Sequence, residues 1–165
     1  MKNSIIFRLY PTCLQQTLIH KTFGCSRLVY NHFLTLKKRK YEEEGIIINN
    51  YDCCIGLNTF IQENNFLRDI DHSILENELK KLEDDCNSFY ETNEYPQFRN
   101  KKYDKQIFTT LNKNNNISIS NDNIYLPKLG WIKLENKKHP NKKIISATIC
   151  KNNNKYYAKI LFSKQ

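Results

Sequence analysis

The sequence predicts an α+β fold in which a small antiparallel β-barrel is interrupted by a helical insertion of about four helices. Three observations carry that expectation. Over residues 108–133 (FTTLNKNNNISISNDNIYLPKLGWIK), short apolar runs at Ile117/Ile119, Ile124/Leu126 and Trp131 with Leu134 are separated by Asn-rich or Pro/Gly turns. Runs of that length joined by such turns read as strands of a sheet. Between Cys13 and Tyr90 the apolar residues recur instead at helical spacing. The first strand, Ser4 to Tyr10, has no neighbour in sequence with which to pair, so it is expected to close on the C-terminal strands.

Taken in order, Ile5, Phe7 and Leu9 lie on one face of the first strand and Ile6, Arg8 and Tyr10 on the other, with Pro11 as its stop. Thr12 followed by Gln15 has the spacing of a capping box, which starts a helix at Cys13. Leu14, Leu18, Ile19 and Phe23 form its expected buried stripe, and Gly24 is expected to break it. A second helix then turns Leu28, Val29, Phe33, Leu34 and Leu36 inward and Lys37, Lys38, Arg39 and Lys40 outward, with Gly45 as its stop. A third begins at Tyr51 and runs through Ile55, Leu57, Phe60 and Ile61. A fourth runs from about Asp71 or Ser73 to Tyr90, with Ser73 and Glu76 as a second capping box and Ile74, Leu75, Leu79, Leu82, Cys86 and Phe89 as core. Glu83, Asp84 and Asp85 read as a solvated face. Tyr95-Pro96 ends the helical part. Two last strands, over residues 143–150 and 155–162, flank the turn Lys151-Asn152-Asn153-Asn154, the composition of a hairpin.

The 165 residues carry a net charge of +9, which favours a polyanionic partner. That charge is unevenly distributed. Residues 99–165 hold 15 basic and 3 acidic side chains, whereas residues 13–98 hold 9 basic and 14 acidic. The sheet-forming part carries the positive field. Six cysteines include no C-x-x-C pair, only the vicinal Cys53-Cys54, a poor basis for a zinc ribbon or a disulfide framework. Reduced thiols in a soluble intracellular protein are expected, whether cytoplasmic, nuclear or virus-associated. No signal peptide precedes the first strand, and no apolar run approaches the roughly 18 residues of a membrane span.

No nucleophile elbow, phosphate loop, HExxH or metal-spaced Cys/His set occurs, and His20, His32, His72 and His139 are scattered. No catalytic residue, metal site or cofactor is therefore expected, and binding is the better-supported role. A basic sheet with Tyr125, Trp131, Tyr156 and Tyr157 combines phosphate neutralisation with base stacking, two of the four aromatics being expected in the core. Candidate RNA- or phosphate-binding residues are Arg8, Arg99, Lys101, Lys102, Lys128 and Lys133.

Several spaced motifs also carry a resemblance. IIFRLYPT with VYNHFL further on (residues 5–34), EYPQFRNKK (residues 94–102), and FTT followed by an Asn-rich loop and LPKLGWIK stand in one order along the chain. In that order they resemble the N-terminal region of the TnpB (OrfB) family of insertion-sequence transposases and RNA-guided endonucleases. The resemblance implies a wedge-like basic barrel from residues 1–12 with 99–165, and a helical, helix-turn-helix-like recognition lobe from residues 13–98. It implies DNA and a guide-type RNA as partners, no membrane, and a short duplex motif read by the protein. The positions matching the motif-reading residues are Tyr51, His72, Ser73, Glu76, Asn77 and Thr109. Two depart from the family pattern: Glu76 stands where glutamine is common, and His72 where a lysine can occur. A carboxylate accepts hydrogen bonds but donates none, so Glu76 favours a cytosine amino group. The family continues into a RuvC-like nuclease domain and a four-cysteine zinc ribbon, which these residues do not include. The expected role is thus a binding module that does not itself cut, with a separately encoded nuclease part as a partner the resemblance allows. The alternatives are a stand-alone helix-turn-helix DNA-binding regulator using the helix pair around Gly24 and an inactive transposon remnant. The regulator requires Lys37, Lys38, Arg39 and Lys40 for binding; the remnant has no affinity for nucleic acid.

Overall fold

A computed structural model describes residues 3–92, 94–102 and 104–164 of the chain. It is α+β. In chain order the elements are β1 (Ser4–Tyr10), α1 (Cys13–Glu44), α2 (Asn50–Glu63), a 3-10 turn (Asn65–Asp69), α3 (His72–Thr92), β2 (Gln106–Leu111), β3 (Ser118–Ser120), β4 (Asn123–Leu126), β5 (Gly130–Leu134), β6 (Ile144–Asn152) and β7 (Lys155–Phe162). The chain divides into two compact units, Met1–Phe23 with Lys105–Gln165, and Gly24–Asp104.

Among the described residues the sheet unit holds seven strands in the order β2-β6-β7-β1-β5-β4-β3, every pair antiparallel. As its lack of a local partner predicts, β1 pairs with β7 along most of its length and with β5 at its end. The sheet does not close into the expected barrel, because among the described residues no ladder joins β2 to β3. Asn112 spans the gap between them. Its backbone and side-chain amides donate to Ile145 O at 2.8 Å and Ile144 O at 2.6 Å, and its side-chain oxygen accepts from Ile117 N at 3.1 Å. One side chain thus bonds strand-flanking backbone on both sides of the seam.

The alternation read from β1 holds. Phe7 and Leu9 are buried while Ile6 and Tyr10 are exposed, and the buried set continues through Phe108, Ile124, Leu126, Ile132, Ala147, Ile149, Ala158 and Ile160. Each large apolar side chain buried this way stabilises the fold by about 1.5–3 kcal/mol. The first turns of α1 contribute Ile19 and Phe23, whose ring lies 5.4 Å from that of Phe108. Leu14, expected in this stripe, is 72% exposed. At about 100° per residue it sits about 140° around the helix from Ile19, off the packed face. The β6–β7 hairpin turns through Asn153 and Asn154, both in the left-handed region (φ 49° and 60°). That is what a two-residue hairpin loop matching the strand twist requires, and asparagine tolerates it.

Among the described residues the helical part has three α-helices rather than four. α1 runs unbroken through Gly24. A glycine inside a helix costs about 1 kcal/mol relative to alanine, and burial of the neighbouring Thr22, Phe23, Cys25 and Ser26 offsets it. α3 starts at His72, so Ser73 lies in its first turn, buried and donating to Asp71 Oδ2 at 2.6 Å, rather than ahead of the helix as a capping residue. A capping box does start α2: Asn49 accepts from Asp52 N at 2.9 Å, and Asp52 accepts in return from Asn49 N.

Within the helical unit, Val29, Phe33, Leu34, Cys53, Leu57, Leu67, Leu75, Leu79 and Leu82 form the core. Gly56 lets α2 close on Phe33, whose ring edge would stand 3.1 Å from any Cβ there. A polar cluster crosses this unit. Glu78, fully buried, holds the Arg99 guanidinium, which lies 3.7 Å from the centre of the Tyr30 ring. Asn31 grips the Arg99 backbone from both sides, accepting from its N–H at 2.8 Å and donating to its carbonyl at 2.9 Å. Tyr30 donates to Asp85 Oδ2 at 2.5 Å. The VYN segment of α1 and the YPQFR segment after α3 are thus one structural latch. Breaking a buried ion pair by removing one partner typically costs about 3–5 kcal/mol. Because Arg99 keeps some solvent contact, Glu78→Gln is expected to lower stability by about 3 kcal/mol in urea unfolding; a loss below ~0.5 kcal/mol would show the pair to be idle.

Candidate nucleic-acid interface

Antiparallel register fixes which side chains share the outer face of the sheet. Arg8 stands opposite Tyr157 and Ile6 opposite Lys159 across β1–β7, and Tyr10 opposite Lys133 across β1–β5. Trp131 stands opposite Tyr125 across β4–β5, and Tyr125 opposite Ser118 across β3–β4. All these outward positions share the parity of Arg8, while Tyr156 shares that of Leu9 and points inward.

The outer aromatics are open to solvent: Trp131 is 51% exposed, Tyr10 46% and Tyr125 37%. The Tyr125 and Trp131 rings meet edge-on, 5.5 Å apart at 66°, a favourable geometry for an aromatic pair. The Arg8 guanidinium lies 5.1 Å from the Tyr10 ring centre. Tyr157 is half-buried on this face, and Tyr156 is buried on the other with its hydroxyl 2.8 Å from His20 Nε2. One of the four sequence-predicted aromatics is therefore in the core. Gln15 steadies the hairpin that carries Trp131. While its side-chain oxygen caps Thr12 N at 2.9 Å, its amide donates to Trp131 O at 2.7 Å and Leu129 O at 3.3 Å. The expected capping box is present, and its glutamine also anchors the platform strand.

Of the candidate phosphate-binding residues, Arg8, Lys128 and Lys133 belong to the sheet unit. Lys133 is exposed on β5, and Lys128 is exposed in the β4–β5 turn in the left-handed region (φ 68°). Arg99, Lys101 and Lys102 belong to the helical unit. Lys101 and Lys102 are exposed, while the Arg99 guanidinium is committed to Glu78. Tyr10, on the outer face beside Lys133, was not singled out as a binding residue; the outward parity of the first strand was the signal for it.

The candidate DNA-reading residues also fall in two groups. Tyr51 on α2, 71% exposed, and His72, Ser73, Glu76 and Asn77 in the first turns of α3 belong to the helical unit. His72 Nε2 lies 2.8 Å from Glu76 Oε1, so the two departures from the family pattern are partners of each other. Ser73 is buried and Asn77 half-buried. Thr109 is on β2 in the sheet unit, its hydroxyl 2.9 Å from that of Thr148.

Two comparisons with known proteins bear on this arrangement. Residues 1–45 match the helix-turn-helix domain model of the OrfB family. Residues 13–44 of that stretch form one continuous helix here. The chain is also similar to a Streptomyces pristinaespiralis protein named "Putative RNA-guided DNA endonuclease", with 28% identity over 122 residues that cover 68% of this chain. It spans about 30% of that relative's length. Both matches support the resemblance to the N-terminal region of the TnpB (OrfB) family. Among the described residues no helix is long and apolar enough to cross a membrane.

The vicinal thiols offer little chemistry of their own. Burial pushes the Cys53 thiol up from 9.0 to about 11, outweighing the nearby Lys37 ammonium. Burial also raises Cys54, with the Glu76 carboxylate adding to it. Both stay protonated near neutral pH, and a neutral thiol is a weak nucleophile and a weak metal ligand. Between roughly pH 9 and 11 the unfolded chain loses this proton while the folded chain keeps it, so this thiol's contribution to stability falls as pH rises through that window. In alkylation at pH 8 followed by mass mapping, exposed Cys13 is expected to react in the folded protein and Cys53 only after denaturation; equal labelling rates would contradict the burial.

Proposed function

We propose, from the premise that this chain resembles the N-terminal region of the TnpB (OrfB) family, that it is the nucleic-acid-binding module of a TnpB-like protein. In this reading the outer face of the sheet holds a single-stranded segment of a guide-type RNA. The helical unit contacts a short duplex DNA motif. These residues act by binding, and cutting would come from nuclease residues beyond them or from a separately encoded partner.

The observation that carries the proposal is the exposed Tyr125–Trp131 pair beside Tyr10 and Lys133. Single strands are held without sequence preference by aromatic faces that stack bases and by cations that follow the phosphates, and each stacked base is worth about 1–3 kcal/mol. A folded soluble domain gains nothing for its own stability by leaving a tryptophan half in water, whereas a base can cover it. For the duplex motif, Tyr51 and Asn77 can donate to base edges or phosphates.

A stand-alone helix-turn-helix regulator is the second reading, and the family-model match over residues 1–45 favours it. The basic run it needs is largely occupied. Lys37 donates to Ile48 O at 2.5 Å and pairs with Glu83 at 2.9 Å, Lys40 pairs with Glu44 at 2.9 Å, and Lys38 lies 5.3 Å from the Tyr95 ring centre. The two readings separate by mutation. In fluorescence-polarisation binding to a short single strand, Trp131→Ala is expected to weaken affinity about 10-fold. Lys133→Gln is expected to reduce the slope of log affinity against log salt by about 0.7. Wild-type affinity in both variants, with loss on changing Lys38 and Arg39, would transfer the function to α1.

A further inference from the structure

At the end of the sheet where β1 leaves β7, the strands fork. The last β1–β7 pair is Leu9 with Tyr156, and the next residue, Tyr10, pairs instead with Lys133 of β5. Pro11 follows and cannot donate to a ladder. The β6–β7 hairpin runs on past this point, leaving a cleft of about 320 Å³ between its turn and the start of α1. Arg8, Lys151 and Lys155 line it together with Tyr10, Gln16 and Tyr156, and among the described residues its lining includes no carboxylate.

Two features distinguish this cleft from an ordinary basic surface. Arg8 Nε is shielded from solvent and has no hydrogen-bond partner among the described residues. A buried donor on a charged group left unsatisfied is costly, and such an orphan in a native fold calls for an explanation such as an ion or ligand. Lys151 is also held in place: its ammonium lies 3.3 Å from His20 Nε2, which in turn meets the Tyr156 hydroxyl at 2.8 Å. Lysine then has two of its three donors left for another acceptor. The protein therefore holds one cation in place, hides an unused donor on a second and sets a third at the cleft's edge; the Glu135 carboxylate beside them is engaged with the Arg8 backbone N–H at 2.9 Å and is not part of the lining.

We propose that this cleft binds a terminal phosphate, the phosphomonoester at the 5′ end of a polynucleotide strand. Three cations match a dianion better than the single charge of a bridging diester. The volume is of the order of one nucleotide, at the small end of the range for ligand pockets. Tyr10 lines the cleft at the end of β1, and across the ladder from it β5 carries Lys133 and, two residues earlier, the exposed Trp131, so a strand anchored by its end runs onto the stacking platform. The inference rests on the single-strand reading above and adds to it a preference for one end chemistry.

The test uses the whole chain and two short oligonucleotides of one sequence, labelled at the 3′ end, one with a 5′-phosphate and one with a 5′-hydroxyl. The phosphorylated strand is expected to bind about 10-fold more tightly, and millimolar inorganic phosphate to erase the difference. Lys155→Gln, an exposed change next to the hairpin turn that leaves the core untouched, is expected to reduce the preference to less than 3-fold, as is Arg8→Gln. Equal affinity of wild type for the two strands, or a preference that survives both substitutions, would overturn the proposal while leaving single-strand binding intact. Failure of wild type to bind either strand would remove the single-strand reading and this inference with it.

Discussion

The two-sided pairing of β1 is the constraint on which the sheet depends. The strand is hydrogen-bonded to β7 on one edge and reaches β5 on the other, so Ser4–Tyr10 lock two segments from the far end of the chain into one sheet. Side chains alternate with a period of two, so a slip of one residue would turn Phe7 and Leu9 into solvent and Arg8 and Tyr10 into the core. The burial of Phe7 and Leu9 therefore places Arg8 opposite Tyr157 and Tyr10 opposite Lys133. The energy that fixes the register is apolar; the surface it sets out is cationic and aromatic. The same pairing generates the cleft, because β1 departs from β7 just where it meets β5.

The two units handle charge differently. In the helical unit, cations face acids close at hand: Arg99 and Lys81 meet Glu78, Lys37 meets Glu83, Lys40 meets Glu44. Those pairs position helices and the segment after α3. On the outer face of the sheet, Arg8, Lys133 and Lys159 stand beside aromatic and aliphatic residues in the register. The net charge of +9 is thus a poor guide to binding until it is divided by location. Arg99 illustrates the point. By sequence it belongs with the basic residues of the sheet half, yet its guanidinium is held by a fully buried carboxylate and a tyrosine ring.

Much of the sheet was legible because alternation, turn composition and capping are local signals. The faces of β1, the Asn-rich hairpin before β7 and the Thr12/Gln15 capping box were all readable from neighbouring residues. Features set by distant residues were not. Gly24 reads as a helix break, but propensity there is outweighed by burial on either side of it. The open seam spanned by Asn112 depends on where β2 and β3 end in space, which residue spacing does not state. The Tyr30–Asn31–Arg99–Glu78 latch joins four residues from three segments. Only the motifs around them, VYN and YPQFR, marked the positions, without indicating that they meet. The Asn49/Asp52 capping box did have a local signal, an Asn three residues before an Asp, that marks the start of α2.

The most direct measurement of the central claim uses a reporter already in place. Trp131 is the sole tryptophan of the chain and lies on the proposed platform. Its fluorescence can be followed during titration with a short single-stranded oligonucleotide while anisotropy of the labelled strand reports binding. If bases stack on the outer face of the sheet, tryptophan emission is quenched in proportion to the strand bound, and both signals give one dissociation constant. Binding by anisotropy with unaltered tryptophan emission would place the strand elsewhere on the protein and contradict the account.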